Sequence, residues 1–350
     1  MTGELQLKLL KSIHPDQPGT PELDDGAVVT IGNFDGCHKG HQSLIRKTLA
    51  VAKESGLNSV ALSFEPHPGV YFGGKPDDRS LFTREQKIRA FQEYGFDALL
   101  IQTFDKGFSG LSPDDFFDKI LVRSLKSQAL IIGHDFRYGY KRQGDPKTLG
   151  DKAKISGIRC EVQSADCHLQ EPVSSTRVRK ALGHGDMSLI TQMLGRPYLI
   201  EGQVVKGQQL GRRLGFPTMN LHIDGQLLPG NGVYACYAWI DGYSSGQKPS
   251  VTKLPGRAFP AVMNIGTRAT IPEFGGELMV EVHIPDEQFG TDGLYEKRVG
   301  ISVIERLRED LKFGSLDLLK EQISRDICAS REALKAFTEA SAAWETGTRS

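Results

Sequence analysis

The segment that most limits the fold runs from Val28 to His41. The apolar run Val28-Val29-Thr30-Ile31 passes into Gly32-Asn33-Phe34-Asp35-Gly36-Cys37-His38-Lys39-Gly40-His41. A helical pattern follows, with Leu44, Ile45, Leu49 and Ala52 on one face. A strand, a tight glycine turn and a helix N-terminus in that order make an anion site. The N–H groups of the first turn are unpaired there, and the helix dipole adds partial positive charge. Residues three apart on that turn face the same way, so His38 and His41 can flank one phosphate without a Walker lysine.

The same alternation continues downstream. Apolar runs recur at 60–64, 98–103, 129–133 and 158–162. Between them, Thr83-Arg84-Glu85-Gln86 predicts a capping box, and Ser112-Pro113-Asp114-Asp115 predicts a serine cap with proline at the first helical position. Strand–helix alternation predicts a parallel sheet covered by helices on both faces. Its ligands belong beyond the carboxyl ends of the strands, where the strand order reverses.

From Tyr198 to about Val303 the pattern changes to short β-rich segments broken by Gly and Pro, which predicts a small β-barrel or sandwich. A helix opened by Ser315, with Leu316, Leu319, Ile323 and Ile327 on one face, is expected to close the chain. At 350 residues the sequence accommodates two domains. The expected division is 1–194 and 195–340, with 341–350 a flexible tail and 241–256 an exposed loop. Lys+Arg and Asp+Glu are both 43, a balance that argues against binding to nucleic acid or an anionic membrane by bulk charge. No run approaches the ~18 apolar residues of a membrane span. The five cysteines have no CxxC spacing, so a cytoplasmic setting without disulfides or structural zinc is expected.

Other chemistry-bearing segments follow the first-half strands: Phe64-Glu65-Pro66-His67-Pro68, then Gly133-His134-Asp135-Phe136-Arg137-Tyr138-Gly139, then Ser174-Ser175-Thr176-Arg177-Val178-Arg179. The last combines hydroxyls, helix-terminal N–H groups and arginine forks, a set suited to a polyphosphate. Taken together, GNFDGxHxGH, FEPHP, GHDFRYG and SSTRVR resemble the adenylyltransferase module of bacterial bifunctional riboflavin kinase/FMN adenylyltransferases, within the HxGH nucleotidyltransferase superfamily. The resemblance implies a Rossmann-like sheet and an ATP site formed by Gly32, Phe34, Gly40, Ser175, Thr176 and Arg177. His38 and His41 would lie on the phosphates, with Asp35 nearby. It also implies a flavin border of Asn33, Pro66, His67, Asp135 and Phe136. Cys37 stands where that family has a small aliphatic residue.

In the second half, Gly207-Gln208-Gln209-Leu210-Gly211-Arg212-Arg213-Leu214-Gly215-Phe216-Pro217-Thr218-Met219-Asn220 places three glycines before two neutral oxygen side chains. Glycines let backbone approach a ligand closely. On a strand, Thr218 and Asn220 share a face and suit Mg²⁺ beside phosphate and water. Glu281, in Val280-Glu281-Val282-His283-Ile284, can accept a proton from an attacking hydroxyl. With Gly232-Val233-Tyr234 and Asn264-Ile265-Gly266, these segments resemble the riboflavin kinase module. That resemblance implies a six-stranded Greek-key barrel with a terminal helix. Gly211, Gly215, Thr218 and Asn220 would then hold Mg-ATP, Glu281 would activate the ribityl hydroxyl, and Arg308 would lie near the flavin. Met219, Ala269 and Glu296 depart from the module's usual residues.

The resulting expectation is a two-step enzyme that phosphorylates riboflavin to FMN and adenylylates FMN to FAD. ATP is the co-substrate, Mg²⁺ arrives with it, and no permanently bound cofactor is expected. A monomer or weak homo-oligomer is expected, with riboflavin, FMN, FAD and ATP as its small-molecule partners. Two alternatives remain at this point: an enzyme that only adenylates, and a flavin-binding protein without turnover.

Overall fold

The computed structural model describes residues 7–14, 23, 25–73, 79–168, 171–207, 211, 214–244, 250–252, 258–267, 278–287 and 293–345. The chain divides into two compact units, Met1–Ser175 and Thr176–Ser350.

The first unit is built on six strands: β1 (Lys8–Leu10), β2 (Ala27–Ile31), β3 (Asn58–Glu65), β4 (Ala98–Thr103), β5 (Ser127–Gly133) and β6 (Arg159–Gln163). All pair in parallel, in the order β1-β4-β3-β2-β5-β6. The order therefore reverses between β2 and β5, with α1 (Lys39–Ser55) leaving the end of β2. Alternation along β2 sends Val28 to one apolar layer with Leu44, Val51 and Ala129. Ala27, Val29 and Ile31 go to the other, with Val60, Leu62, Phe117 and Ile120. Two covered faces explain why these strands read as unbroken apolar runs. The helix Arg84–Tyr94 carries the expected Thr83–Gln86 capping box, and Ser112 caps Pro113–Asp115. The short edge strand β1 was not expected, because Lys8-Leu9-Leu10 offers only three residues and no measurable alternation.

The second unit opens within the helix Ser175–His184, from Thr176 on, and continues with the helix Met187–Leu194. The strands β9 (Tyr198–Val205), β10 (Thr218–His222), β11 (Gly232–Ile240), β12 (Phe259–Thr267), β13 (Leu278–His283) and β14 (Arg298–Arg308) then close a barrel; β7 (Cys167–His168) and β8 (Glu171–Pro172) are a small ribbon in the linker before it. The barrel order is β10-β13-β12-β11-β14-β9, and every pairing is antiparallel. The consecutive strands β11, β12 and β13 form a meander with β10 returned beside β13, which is Greek-key connectivity. Met219, Leu221, Met263, Ile265, Val280 and Val282 are all buried and fill the interior.

The closing helix, Leu316–Glu345, starts where Ser315 Oγ accepts the N–H of Leu318. It packs through Leu334, Ala333 and Phe337 onto Ala235 and Ile304. Leu319, Ile323 and Ile327 are half-buried as expected, but Leu316 in the first turn is exposed, as is Leu318. The helix reaches Glu345, so it includes the first half of the stretch expected as a tail; 346–350 lie outside the described residues, as does most of the 241–256 loop.

Candidate functional site

The turn after β2 is sharply folded. Phe34 (φ 49°), Gly36 (φ 75°) and Cys37 (φ 41°) all occupy the left-handed region. For the two non-glycine residues this costs roughly 1–2 kcal/mol each. The Phe34 ring, fully buried and edge-on to Phe91 at 5.1 Å and His41 at 5.3 Å, returns about 1.5–3 kcal/mol through burial. His38 is the N-cap of α1, and its Nδ1 accepts the backbone N–H of His41 at 3.4 Å. The two imidazoles stack 3.7 Å apart at 20°. A side chain on Gly40 would crowd the His38 ring at 3.2 Å, which explains the glycine between them. His41 Nδ1 is buried without a hydrogen-bond partner, in a residue that is half-buried as a whole. Burial first, then the neighbouring His38 and Lys87, hold the His41 pKa well below the ordinary histidine value. The pair is thus a preformed polar site at a helix N-terminus, beyond the strand where the sheet order reverses.

Several neighbours fix this turn. Asp35 is 3% exposed, and its Oδ1 accepts the N–H of Phe82 at 3.0 Å. Ser63 donates to the Asn33 carbonyl at 3.1 Å and accepts from Lys87 Nζ at 3.0 Å. Burial pushes the Lys87 pKa down, with Asp35, Cys37 and Glu65 opposing. Ser175 Oγ donates to the Asp35 carbonyl at 3.1 Å. Thr176 and Arg177 are the next residues of the Ser175–His184 helix. Gly32 has Phe34 packed over it, 3.3 Å from where a Cβ would stand.

Four of the residues expected to border the flavin sit past two further strand ends. Pro66 and His67 follow β3, where His67 Nδ1 caps Pro68–Tyr71 by accepting the N–H of Gly69 at 3.0 Å. Asp135 and Phe136 follow β5; Asp135 is exposed, and Phe136 stacks on Tyr138 at 5.5 Å. Because the strands are parallel, β2, β3 and β5 deliver these residues to one edge of the sheet.

In the barrel, Thr218 begins β10, and Asn220 pairs directly with Glu281 of β13. Glu281 pairs on its other side with Asn264 of β12. Residues directly opposite one another share a face, so Asn220, Glu281 and Asn264 form one row on the outer wall. The Oδ1 atoms of both asparagines are buried without partners. The glycine loop lies against this row. A Cβ on Gly207 would run into the Asn220 amide, and one on Gly211 would meet the Phe216 carbonyl and come 3.1 Å from Thr218 Oγ1. Gly215 turns the chain with φ +91°. Residues 208–210, 212 and 213 lie outside the described residues, as does 268–270 with the Ala269 departure. Arg308 stands at the end of β14, where Asp326 holds it bidentately: Nε to Oδ1 at 2.9 Å and Nη2 to Oδ2 at 2.8 Å.

Sequence reasoning did not single out Lys87, Ser63 or the polar role of Asn264. For Asn264 a signal existed, since it is the polar member of an alternating strand between Met263 and Ile265. For Lys87 there was none, because a lysine in a polar helix reads as a solvated one.

Comparison with known proteins gives the family of each half of the chain. Residues 20–177 match the FAD synthetase family and residues 194–334 the riboflavin kinase family. The bifunctional riboflavin kinase/FMN adenylyltransferase of Escherichia coli K12 is 34% identical over 326 residues, covering 93% of this chain and 97% of the relative. The one from Pseudomonas fluorescens is 36% identical over 325 residues, with the same coverage. A crystal structure described as a macrolide-efflux protein from Streptococcus pneumoniae superposes with a TM-score of 0.79 at 25% identity, over 93% of this chain and 99% of that one. Among the described residues here, no helix is long and apolar enough to cross a membrane. With both family matches in order along the chain and relatives aligned nearly end to end, this chain belongs to the bifunctional riboflavin kinase/FMN adenylyltransferase family.

Proposed function

We propose that the two families' chemistries are divided between the two sites described above. The enzyme phosphorylates riboflavin with ATP to give FMN, then adenylylates FMN with a second ATP to give FAD and pyrophosphate. The observation that carries the adenylylation assignment is the His38–His41 pair: stacked imidazoles at a helix N-terminus, one with a buried nitrogen awaiting a partner. There the FMN phosphate oxygen attacks the α-phosphorus of ATP, and the bond to the β-phosphate oxygen breaks. His38 and His41 stabilise the charge that develops on the phosphates. Ser175, Thr176 and Arg177 hold the leaving pyrophosphate, with Gly32, Phe34 and Gly40 shaping the nucleotide cradle. Asp35 keeps the turn in register through its bond to Phe82. Asn33, Pro66, His67, Asp135 and Phe136 border the flavin.

At the barrel, Glu281 accepts the proton of the terminal ribityl hydroxyl as that oxygen attacks the γ-phosphorus and ADP departs. Gly211 and Gly215 shape the loop over the ATP phosphates. Thr218 and Asn220 offer two neutral oxygens, one of them buried and unpartnered, which fits Mg²⁺ brought in with ATP. The ion, when bound, neutralises charge on the triphosphate. Arg308 borders the flavin ring from the end of β14. We assign the enzyme to the cytoplasm, as a monomer or weak homo-oligomer.

The test is chromatographic analysis of products from riboflavin and Mg-ATP. FMN followed by FAD is expected. FAD made only when FMN is supplied would overturn the kinase assignment, and flavin binding without ATP consumption would overturn both.

A further inference from the structure

The outer row on the barrel has one member that the assignments above leave without a task. Asn264 lies directly across from Glu281 in the β12–β13 register, as Asn220 does from the β10 side. Its Oδ1 is buried and has no hydrogen-bond partner. Leaving a buried amide oxygen unmatched costs free energy that a leucine or valine there would avoid, so a donor supplied from outside the chain is the simplest reason for it.

The position along the row decides which donor. The glycine loop packs against Asn220 and Thr218, on the β10 side of Glu281. That side therefore belongs to the phosphates. Strands are spaced about 4.8 Å apart, so the Asn220 and Asn264 backbones are roughly 10 Å apart with Glu281 between them. Oxygens sharing one Mg²⁺, each about 2.1 Å from the ion, stand no more than about 4 Å from each other. Asn264 is thus poorly placed to share a cation with Asn220, and it flanks the base on the side away from the phosphates. In an in-line transfer that is the side of the acceptor alcohol. Gly266, two residues further on the same face, has the Asp310 carboxylate 3.3 Å and the Asn264 amide nitrogen 3.7 Å from where a Cβ would be.

We propose that Asn264 is a substrate-positioning residue of the kinase site. Its Oδ1 accepts a hydrogen bond from a hydroxyl of the polyol chain next to the one being phosphorylated, and so holds the acceptor oxygen against Glu281. This rests on the assignment of Glu281 as the base of a riboflavin kinase.

The experiment is steady-state kinetics of FMN formation by the full-length Asn264→Ala and Asn264→Asp variants, with FAD formation from supplied FMN as a check on each preparation. Asn264→Ala is expected to raise the riboflavin KM about five- to tenfold, the size of one neutral hydrogen bond, while the ATP KM stays within about twofold. Asn264→Asp keeps the acceptor oxygen and should bring the riboflavin KM back toward wild type. An unchanged riboflavin KM in Asn264→Ala, or riboflavin and ATP KM values rising together, would overturn the inference and leave the kinase assignment standing. A wild-type enzyme that makes FAD from FMN but no FMN from riboflavin would overturn the assignment itself. If Asn264→Ala does not fold, Asn264→Val decides: a riboflavin KM unchanged from wild type, or one that rises together with the ATP KM, overturns the proposal.

Discussion

His38 Nδ1 accepts the backbone N–H of His41 while the two rings stack 3.7 Å apart. One side chain therefore caps α1 and also stands in the proposed phosphate site, and these two roles are separable. Asn is a good N-cap and Ala is not; losing the cap costs about 1 kcal/mol. His38→Asn should melt like wild type and His38→Ala a few degrees lower. Both should lose FAD formation by about a hundredfold or more, the usual loss when one charge-stabilising group is removed. FMN formation should stay within a few-fold in each. Retained FAD formation in His38→Asn would reduce His38 to a cap.

His41 makes stability depend on pH. Its folded pKa is depressed below the ordinary value of 6.5, first by burial and then by the neighbouring His38 and Lys87. As pH falls through that value, the unfolded chain takes up a proton that the folded chain refuses. Stability is therefore complete above about pH 7.5 and declines on acidification, by at most about 1.4 kcal/mol per pH unit for this one group. His41→Gln should flatten the slope of unfolding free energy between pH 7 and 5 relative to wild type. Both tryptophans, Trp239 and Trp344, lie in the second unit, so the transition of the first is followed by circular dichroism. Parallel slopes for the two proteins would contradict the burial argument.

Arg177 gives the complementary test of two independent sites. Arg177→Ala removes a planar fork of donors from the proposed pyrophosphate grip. It should block FAD formation and leave FMN formation within a few-fold. Glu281→Ala should do the opposite, with FAD still made from supplied FMN. Collapse of both activities in a folded single variant would refute the division of labour.

The degree to which each site could be read in the sequence follows from how local its physics is. The His38–His41 turn was legible because strand, turn and cap are consecutive. The Thr83–Gln86 box was legible for the same reason. The Asn220–Glu281–Asn264 row was not, since its members come from three strands and meet only through register, and a one-residue slip would send each to the other face. The same holds for Lys87, whose contact with Ser63 joins residues 24 apart. Arg308 shows the reverse failure. Its position was legible, but its commitment to Asp326 on the terminal helix was not.

The glycine loop predicts a graded response. An added methyl at Gly207 would overlap the Asn220 amide, so Gly207→Ala must displace either the loop or Asn220. Overpacking of this kind costs about 1–3 kcal/mol. FMN formation should fall at least tenfold, with the ATP KM raised. Gly215→Ala meets no atom within 4 Å but carries the strain of φ +91°. It should cost about 1–2 kcal/mol of stability, with a smaller loss of kinase activity. Equal losses in the two variants would show that loop conformation, and not the Asn220 contact, governs the site.

Arg308 and Asp326 form a largely buried bidentate pair, with side chains 17% and 7% exposed. Removing either partner leaves an uncompensated charge in a poorly solvated place, at a cost of roughly 3 kcal/mol. For a unit of this size that lowers the melting temperature by about 6–12 °C. Arg308→Ala and Asp326→Ala should therefore both melt early, as read by tryptophan fluorescence of the second unit. Their kinetics should part company. Arg308→Ala removes the cation proposed to border the flavin and should raise the riboflavin KM even at temperatures where the protein is fully folded. Asp326→Ala leaves that cation in place and should change the riboflavin KM little. Identical riboflavin KM values in the two folded variants would confine Arg308 to fastening the terminal helix onto the barrel.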